Sequence, residues 1–573
     1  MSILALREIP DDSELRREWD ALAFETHSPQ VFYTYEWARA VHLAYGESLC
    51  PLLLLWRDDD GRLAGVAALA APKDGPVSFL CATTGDYCDF VVRAKDAAIF
   101  TAQVFEKLRQ MGYRDIVLTN FPEDSPCYAN LDSTTRGFHR YARTAYWCAQ
   151  LQLAKIVEDS GKPALPRQKM VRRSLRAMGG GAALPTISEA TWEKMDTLLP
   201  EFFRAHVARF AFTGRISNLA RPERREFLLE LAKLLGPSGW LCVTRLNAGA
   251  RTVAWNYGFK FCGTTFWYQP TFANDFEKYS PGVVLLSKLI EEAAQDSSME
   301  TVDLGLGAEG YKDAFANASR RTMYVTLHGS RFKQWREMAR YRLAAMLKTN
   351  PSMEKFADRI RKAFRSSRER FRSQGAKETI QWAGSRLRRL LWAHDEVVFY
   401  ETTNANPGSK SGGLFLKAID FDTLADAALQ NANDEGTMAY LLRCAERLRT
   451  NAEGKGYALS NAAGELLHFT WAGPFENFYW SELNSQLPTP VPGALVLFDS
   501  WTPVSQRGRG YYGPTLGLVV AKLREEGKRS WGFSASTNTS SVRGLEKAGF
   551  RRDFSVFRRR FLWRQKVVQK NAA

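Results

Sequence analysis

Three sets of residues have types and spacings that could do chemistry. Near the end of the chain Gly508, Gly510 and Gly513 follow the apolar run Ala494 to Phe498 and precede Leu516, Leu518, Val519, Val520 and Leu523 at helical spacing. Glycine lets a backbone approach a ligand and leave ordinary dihedral space, and a helix N-terminus offers unpaired N–H groups at the positive end of a dipole. The stretch reads as a phosphate cradle, with an ordinary strand-to-helix turn as the alternative. Earlier, Asp86-Tyr87-Cys88-Asp89 sets two carboxylates around an aromatic at a strand border, where they could equally cap or turn the chain. Between these stretches Ser280-Pro281-Gly282 makes a good helix start whose N–H groups suit a phosphate or carboxylate, and the segment DLGLGAEGYKDAF carries Asp303, Glu309 and Lys312. Glu309 or Asp303 could act as a general base if burial raises its pKa, while Lys312 and Arg251 could add positive charge.

The elements that must position these residues alternate between strands and helices. Residues 13 to 24 read as a helix, 51 to 56 and 63 to 69 as a hairpin, 95 to 111 as a helix and 115 to 119 as a strand. Strands at 240 to 246, 251 to 261 and 263 to 269 precede the helix opened by Ser280, and a strand over 300 to 304 follows it. Towards the end, a strand over 397 to 401, a strand over 414 to 419, helices over 421 to 430 and 438 to 448, and strands over 457 to 460 and 465 to 472 precede the glycine loop. Trp471, Phe475, Phe478, Tyr479 and Trp480 could form an aromatic platform for a sugar face or simply pack a core.

At 573 residues and 45% hydrophobic, the chain has enough core-forming sequence for several domains of roughly 150 residues each. Its eight cysteines include no C-x-x-C pair, and no His or Cys spacing suggests a metal site, so no metal is expected. Scattered thiols and the absence of an apolar run of about 18 residues point to the cytoplasm. The net charge of +16 is concentrated between Arg331 and His394, where eighteen Lys or Arg face five Asp or Glu. That segment is expected to form amphipathic helices packed beside the domains as a connector with its charge outward; the alternative is peripheral contact with an anionic membrane surface or with a polysaccharide synthase, and without a base-reading motif nucleic acid is not an expected partner.

Two family resemblances organise these observations. Arg507-Gly508-Arg509-Gly510, with Asn538, Ser541, Glu546, Lys547, Gly549 and Phe550 after the next strand, resembles the pyrophosphate loop and final helix of the GNAT acyl-CoA acyltransferases over roughly residues 395 to 565. The resemblance implies that Val504, Arg507, Gly508, Arg509, Gly510, Gly513 and Asn538 bind acetyl-CoA or another acyl-CoA, with Asp499 at the end of the cofactor strand available as a base. Two positions depart from the pattern. Tyr512 stands where the loop normally ends in Gly or Ala, and Leu545 stands where a general-acid Tyr is common. Leucine cannot protonate a thiolate, so Tyr511 or Tyr512 would have to serve. In the first part, Asp86-Tyr87-Cys88-Asp89, the helix start at Gly282 and Asp303 to Lys312 resemble the CelD/BcsL family, which is built as two GNAT-like halves in the manner of the FemAB aminoacyltransferases. This implies substrate-binding roles for Asp86, Asp89, Gly282, Asp303 and Lys312.

The expected architecture is α/β, with tandem GNAT-like mixed sheets and flanking helices: halves over 1–155 and 156–330, a basic helical connector over 331–394, and a C-terminal GNAT domain over 395–573. The expected activity is acyl-CoA-dependent N- or O-acyl transfer to a small-molecule or saccharide acceptor in cellulose or exopolysaccharide synthesis. The alternatives are a FemAB-like aminoacyl transfer and a non-catalytic adaptor built on degenerate GNAT modules.

Overall fold

The computed structural model describes residues 3–156, 165–180, 183–307, 310–348, 392–402, 413–450, 454–561 and 564–571. Two compact units emerge. The first comprises Met1–Arg209 and Arg221–Ala344, the second Phe210–Ala220 and Ala345–Ala573.

Unit 1 is built on one 13-stranded sheet. Its first half supplies β1 (Leu4–Leu6), β2 (Pro51–Arg57), β3 (Leu63–Ala70), β4 (Val77–Phe79), β5 (Val91–Val92), β6 (Asp115–Pro122) and β7 (His139–Gln152). The second half supplies β8 (Thr186–Ala190), β9 (Leu241–Ala248), β10 (Arg251–Phe261), β11 (Thr264–Phe272), β12 (Thr301–Leu306) and β13 (Ala318–His328). Across the sheet the order is β1-β2-β3-β4-β6-β13-β7-β12-β11-β10-β9-β8, with β5 beside β3. Each half repeats one plan: an antiparallel run, a crossover helix, a strand parallel to the end of that run, and a long final strand. The final strands are exchanged. β13 pairs with β6 on one edge and β7 on the other, and β7 in turn pairs with β12.

The crossover helices form because their apolar residues recur on one face. Ala97–Gln110 buries Phe100, Val104, Phe105 and Leu108 against Trp56, Phe79 and Ile116. Pro281–Gln295 buries Val284, Leu285, Leu289 and Ile290 against Leu246, Val302 and Leu304. Each such side chain contributes roughly 1.5–3 kcal/mol. The parallel contacts beside these helices are short: β4 meets β6 at Val77/Ile116 and Ser78/Val117, and β11 meets β12 only from Thr264/Thr301 to Phe266/Asp303. Beyond Phe266 the two strands diverge, opening a wedge in the sheet.

The exchanged strands β7 and β13 are not evident in the sequence because arginines interrupt their apolar alternation. The fold absorbs these charges on aromatic faces. Arg143 lies 4.5 Å from the Tyr324 ring centre and 4.2 Å from that of Tyr341, and Arg320 lies 4.8 Å from that of Tyr87. Tyr341 comes from the helix Arg331–Lys348, which packs on the sheet of unit 1 through its described part. Residues 349–391, the remainder of the expected connector apart from the strand that follows, lie outside the described residues.

Unit 2 carries an eight-stranded sheet and a two-stranded one. Its strands are β14 (Trp392–Thr402), β15 (Leu414–Ala418), β16 (Lys455–Asn461), β17 (Leu466–Pro474), the pair β18 (Tyr479–Trp480) and β19 (Ser485–Gln486), β20 (Leu495–Trp501), β21 (Ser530–Ala535), β22 (Phe550–Phe561) and β23 (Arg564–Asn571). The large sheet runs β15-β16-β17-β20-β21-β14-β22-β23. The strand expected to open the domain thus sits inside the sheet, antiparallel to both β21 and β22. β20 and β21 are parallel only from Leu495/Ser530 to Leu497/Gly532, a second wedge of the same kind. The aromatic platform is core instead: Trp471, Phe475 and Trp480 are buried, and only Tyr479 of the five is exposed.

Because β13 closes both halves, a charge placed on it should unfold them together. Val325→Asp buries an unpaired carboxylate between Leu118 and Ala142 and is expected to cost about 4 kcal/mol or more. Hydrogen exchange should accelerate in β2–β6 and in β9–β12 alike; acceleration in only one half would contradict a single cooperative sheet.

Candidate active site

The wedge between β11 and β12 is filled from the other half of unit 1. After β4 the chain runs through a loop from Leu80 to Asp89 that several hydrogen bonds hold in place, one of them across the seam. Asn120, itself left-handed at φ 55°, donates its Nδ2 to the Gly85 carbonyl (2.9 Å), and its own carbonyl accepts from Cys88 N (2.9 Å). Trp37 Nε1 donates to Thr84 Oγ1 (3.1 Å), and the Tyr268 hydroxyl of β11 donates to the Thr84 carbonyl. Asp86 is thereby carried into the wedge.

Its surroundings are close and charged. A Cβ on Gly305, which adopts φ 73°, would come within 2.7 Å of Asp86 Oδ2, so only glycine fits there. The Leu306 N–H donates to Asp86, and Lys312 and Arg224 add positive charge. Burial, reinforced by the nearby Asp303 carboxylate, pushes the Asp86 pKa up to about 7. Asp303 is buried and fully engaged: it accepts from the Tyr87 hydroxyl (2.7 Å), Gln150 Nε2 (2.8 Å) and Gly305 N (2.8 Å). Lys312 is buried as well, its ammonium donating to the Leu306 carbonyl at 3.0 Å. Burial raises the pKa of both Tyr87 and Tyr268, so both remain neutral phenols.

Arg224, on the helix Pro222–Leu235, completes the cluster. It is 4% exposed and donates Nη2 to the Tyr268 hydroxyl at 2.7 Å. Tyr45 lies alongside, yet among the described residues neither Nε nor Nη1 meets an acceptor in hydrogen-bond geometry. A buried donor left unsatisfied costs roughly 1–3 kcal/mol, which makes these two nitrogens a strong site for an acceptor atom. Sequence reasoning did not single out Arg224, although a signal exists. Arg224 shares helical spacing with Phe227, Leu228 and Leu231, all buried, and an arginine on an apolar face calls for a partner.

The remaining sequence-derived candidates fall elsewhere. Asp89 faces a different small cavity, and Glu309 lies outside the described residues. Gly282 sits in the first turn of its helix, where a Cβ would press on the Phe272 ring at 3.3 Å. Ser280 holds φ 51° and makes no capping bond through its side chain, against expectation. Arg251 is committed to Asp275 by two bonds of 2.6 and 3.0 Å.

In unit 2, Gly508 and Gly510 adopt φ 77° and 81° in an exposed loop, and the helix begins at Tyr512. Among the described residues the N–H groups from Gly508 to Gly513 have no backbone acceptor, so the loop fits a pyrophosphate. Arg509 is exposed beside them, whereas Arg507 folds back, donating Nε to the Thr502 carbonyl (3.1 Å) over the Trp501 ring. Val504 N is taken by Asp434 Oδ2 at 3.0 Å, and Asn538 caps the following helix through Ser541 N (3.2 Å). Asp499 stands at a bulge in β20 with φ 46° and is paired to Arg447 at 2.5 Å. Tyr511 occupies the N-cap without a side-chain bond. Tyr512 is mostly buried against Gly544, hydrogen-bonded to Ser541 and Ser500, and burial raises its pKa. Leu545 packs on Gly532, within the core.

Residues 167–313 match the model of the acetyltransferase (GNAT) domain. This segment is similar to the GNAT acetyltransferases. It carries Arg224, Tyr268, Gly282, Asp303 and Lys312, and it makes the protein an acyltransferase-type enzyme. Among solved structures, FemX matches with 10% identity over 57% of this chain and 97% of that one, at a TM-score of 0.40. L-PGS from Bacillus licheniformis shows 12% identity over 57% and 94%, at 0.39. A tandem GNAT protein from the clavulanic acid biosynthesis pathway shows 13% identity over 57% and 98%, at 0.34. No curated protein matches the chain.

The raised pKa of Asp86 has a stability consequence. The folded state keeps a proton that the unfolded chain releases near pH 4, so this group makes the fold less stable as pH rises from about 4 to about 7. Asp86→Asn should therefore raise the melting temperature at pH 8 by a few degrees and change it little at pH 4; an equal effect at both would refute the shift.

Proposed function

We propose that unit 1 transfers an acyl group to an amine or hydroxyl within the β11/β12 wedge. The observation that supports this most is the juxtaposition of a carboxyl whose pKa is near 7 with a buried guanidinium whose Nε and Nη1, apart from the neighbouring Tyr45, meet no acceptor among the described residues. Asp86 takes the proton from the attacking nucleophile, since a base with a pKa close to the ambient pH combines a useful ionised fraction with a useful basicity. Arg224 Nε and Nη1 stabilise the oxyanion that develops on the acyl carbonyl. Tyr268 fixes the guanidinium, and Asp303, held by Tyr87, Gln150 and Gly305, keeps the Asp86 pKa high. No covalent enzyme intermediate is needed. The donor we propose is acetyl-CoA or another acyl-CoA, which supplies the thioester; separately, within unit 2, the loop from Gly508 to Gly513, whose N–H groups meet no backbone acceptor among the described residues, is suited to the pyrophosphate of such a molecule. A saccharide acceptor in polysaccharide synthesis, as the CelD/BcsL resemblance implies, is the finer form of this proposal; an aminoacyl donor is the FemAB-like form.

With acetyl-CoA and a panel of amine and hydroxyl acceptors, kcat/KM should rise with pH through about 7 and then level off. Asp86→Asn should remove that limb and lower kcat by about 10²- to 10⁴-fold, and Arg224→Lys should cost about 10²-fold in kcat. Full activity in either variant would refute the assignment.

We also propose that the helix Arg331–Lys348 rests on an anionic membrane surface. At 100° per residue, Phe332, Trp335, Leu343 and Met346 share one face, and they are 66%, 59%, 59% and 69% exposed. The opposite face is the one that packs on unit 1, through Gln334, Glu337 and Tyr341. Exposed Arg331 and Arg342 flank the apolar face on one side, Arg336 and Arg340 on the other, an arrangement suited to a helix lying in the plane of a bilayer. Among the described residues no helix is long and apolar enough to cross a membrane. The full chain should float with phosphatidylglycerol-containing vesicles, less so at high salt, and Trp335→Asp should abolish flotation. Unchanged partitioning of that variant would point instead to another partner, such as a synthase.

A further inference from the structure

A second polar cavity lies in the first half of unit 1, around residues that the proposed transfer chemistry does not use. Its lining includes Ser28, Tyr33, Asp89, Ser125, Cys127 and Arg320. Tyr33 is 4% exposed, and among the described residues its hydroxyl has no hydrogen-bond partner. Burial raises its pKa, so it remains a neutral group able to donate a proton in a hydrogen bond. Its backbone carbonyl accepts from Trp19 Nε1 at 2.7 Å, which fixes the main chain from which the buried ring projects.

Asp89 is the matching acceptor. Its Oδ1 takes Phe90 N at 2.7 Å, and Ser125 and Cys127 also donate to the carboxyl, which lines the cavity with further acceptor capacity of its two oxygens. Burial pushes its pKa up to about 7. Arg320 is fixed beside them by Asp124, with Nε 3.0 Å from Oδ1, and by the face of Tyr87. The space is small, enough for one functional group.

The three groups together discriminate between ligand classes. A ligand ammonium could donate to Asp89 but could not accept from Tyr33, and it would face the Arg320 charge. A carboxylate could accept from Tyr33 and Arg320 but has no hydrogen to donate to Asp89, which would have to take up a proton to receive it. A hydroxyl does both.

We propose that this cavity is a binding site for an alcohol or polyol, whose hydroxyl donates to Asp89 and accepts from Tyr33 with Arg320 alongside. The site is distinct from the Asp86 wedge: Asp86 is absent from the lining, and the charges acting on Asp86 come from Asp303, Lys312 and Arg224. It therefore stands or falls independently of the proposed transfer chemistry.

Saturation-transfer NMR on the full chain, with glycerol, ethylammonium and acetate as probes of similar size, tests it. Glycerol should receive saturation and the two ions should not. Tyr33→Phe removes only the hydroxyl and should weaken glycerol binding by about three- to tenfold, the equivalent of one neutral hydrogen bond. Asp89→Asn should also weaken it, and Asp86→Asn should leave it unchanged. If Asp89→Asn fails to fold by circular dichroism, Tyr33→Phe alone decides. Glycerol saturation that is absent in the parent or undiminished in Tyr33→Phe, or equal saturation of acetate or ethylammonium lost on the same substitution, would overturn the proposal.

Discussion

Strand β13 is hydrogen-bonded along both edges, to β6 over Thr322–His328 and to β7 along its whole length, and much of unit 1 depends on that pairing. A strand edge left open exposes unpaired N–H and C=O groups, which is costly when buried and invites aggregation when not. By exchanging their last strands the two halves close each other's edges and become one sheet. The same exchange fixes the register between them. It brings the loop after β4 to the mouth of the β11/β12 wedge, so that residues more than 200 apart in sequence, Tyr87 and Asp303, are in hydrogen-bond contact.

Such a seam concentrates polar groups away from water, and that is what gives the site its electrostatic character. Two carboxylates, Asp86 and Asp303, are close enough to raise the pKa of one of them, and the burial penalty is partly offset by Lys312 and Arg224. Asp303 receives three hydrogen bonds. Asp86 has fewer donors and carries the raised pKa. Two chemically identical side chains thus differ in their surroundings: Asp303 is anchored by three hydrogen bonds, while burial raises the pKa of Asp86. Gly305 makes the arrangement sterically feasible, because any Cβ would occupy the space of Asp86.

Unit 2 shows a similar wedge with a different filling. There β14 enters the sheet between β21 and β22, the bulge at Asp499 redirects the end of β20, and Tyr512 bridges towards Ser500 and Ser541. The exposed glycine loop retains free N–H groups suited to phosphates, while the residues expected to move protons are committed elsewhere: Asp499 to Arg447, and Tyr512 to two serines. Recognition and proton transfer draw on different features of a wedge, and unit 2 preserves the first more clearly than the second.

Local pattern made much of this legible. Apolar periodicity marks the crossover helices, the Ser-Pro-Gly run marks the start of one of them, and the glycines at 508 and 510 do adopt the left-handed angles that their type permits. The motifs around Asp86, Asp303 and Lys312 were visible as chemistry-bearing residues, since carboxylates and lysines beside strand ends stand out from an apolar background. The sequence could not show which of them meet. β7 and β13 escaped notice because their arginines are neutralised only by aromatic rings from other strands, and Arg224 because its partners, Tyr268 and Asp86, come from distant segments. Side-chain type and local period are properties of neighbouring residues along the chain. A pKa near 7, an unsatisfied guanidinium and a shared strand edge are properties of groups brought together from afar, and only the tertiary structure decides them.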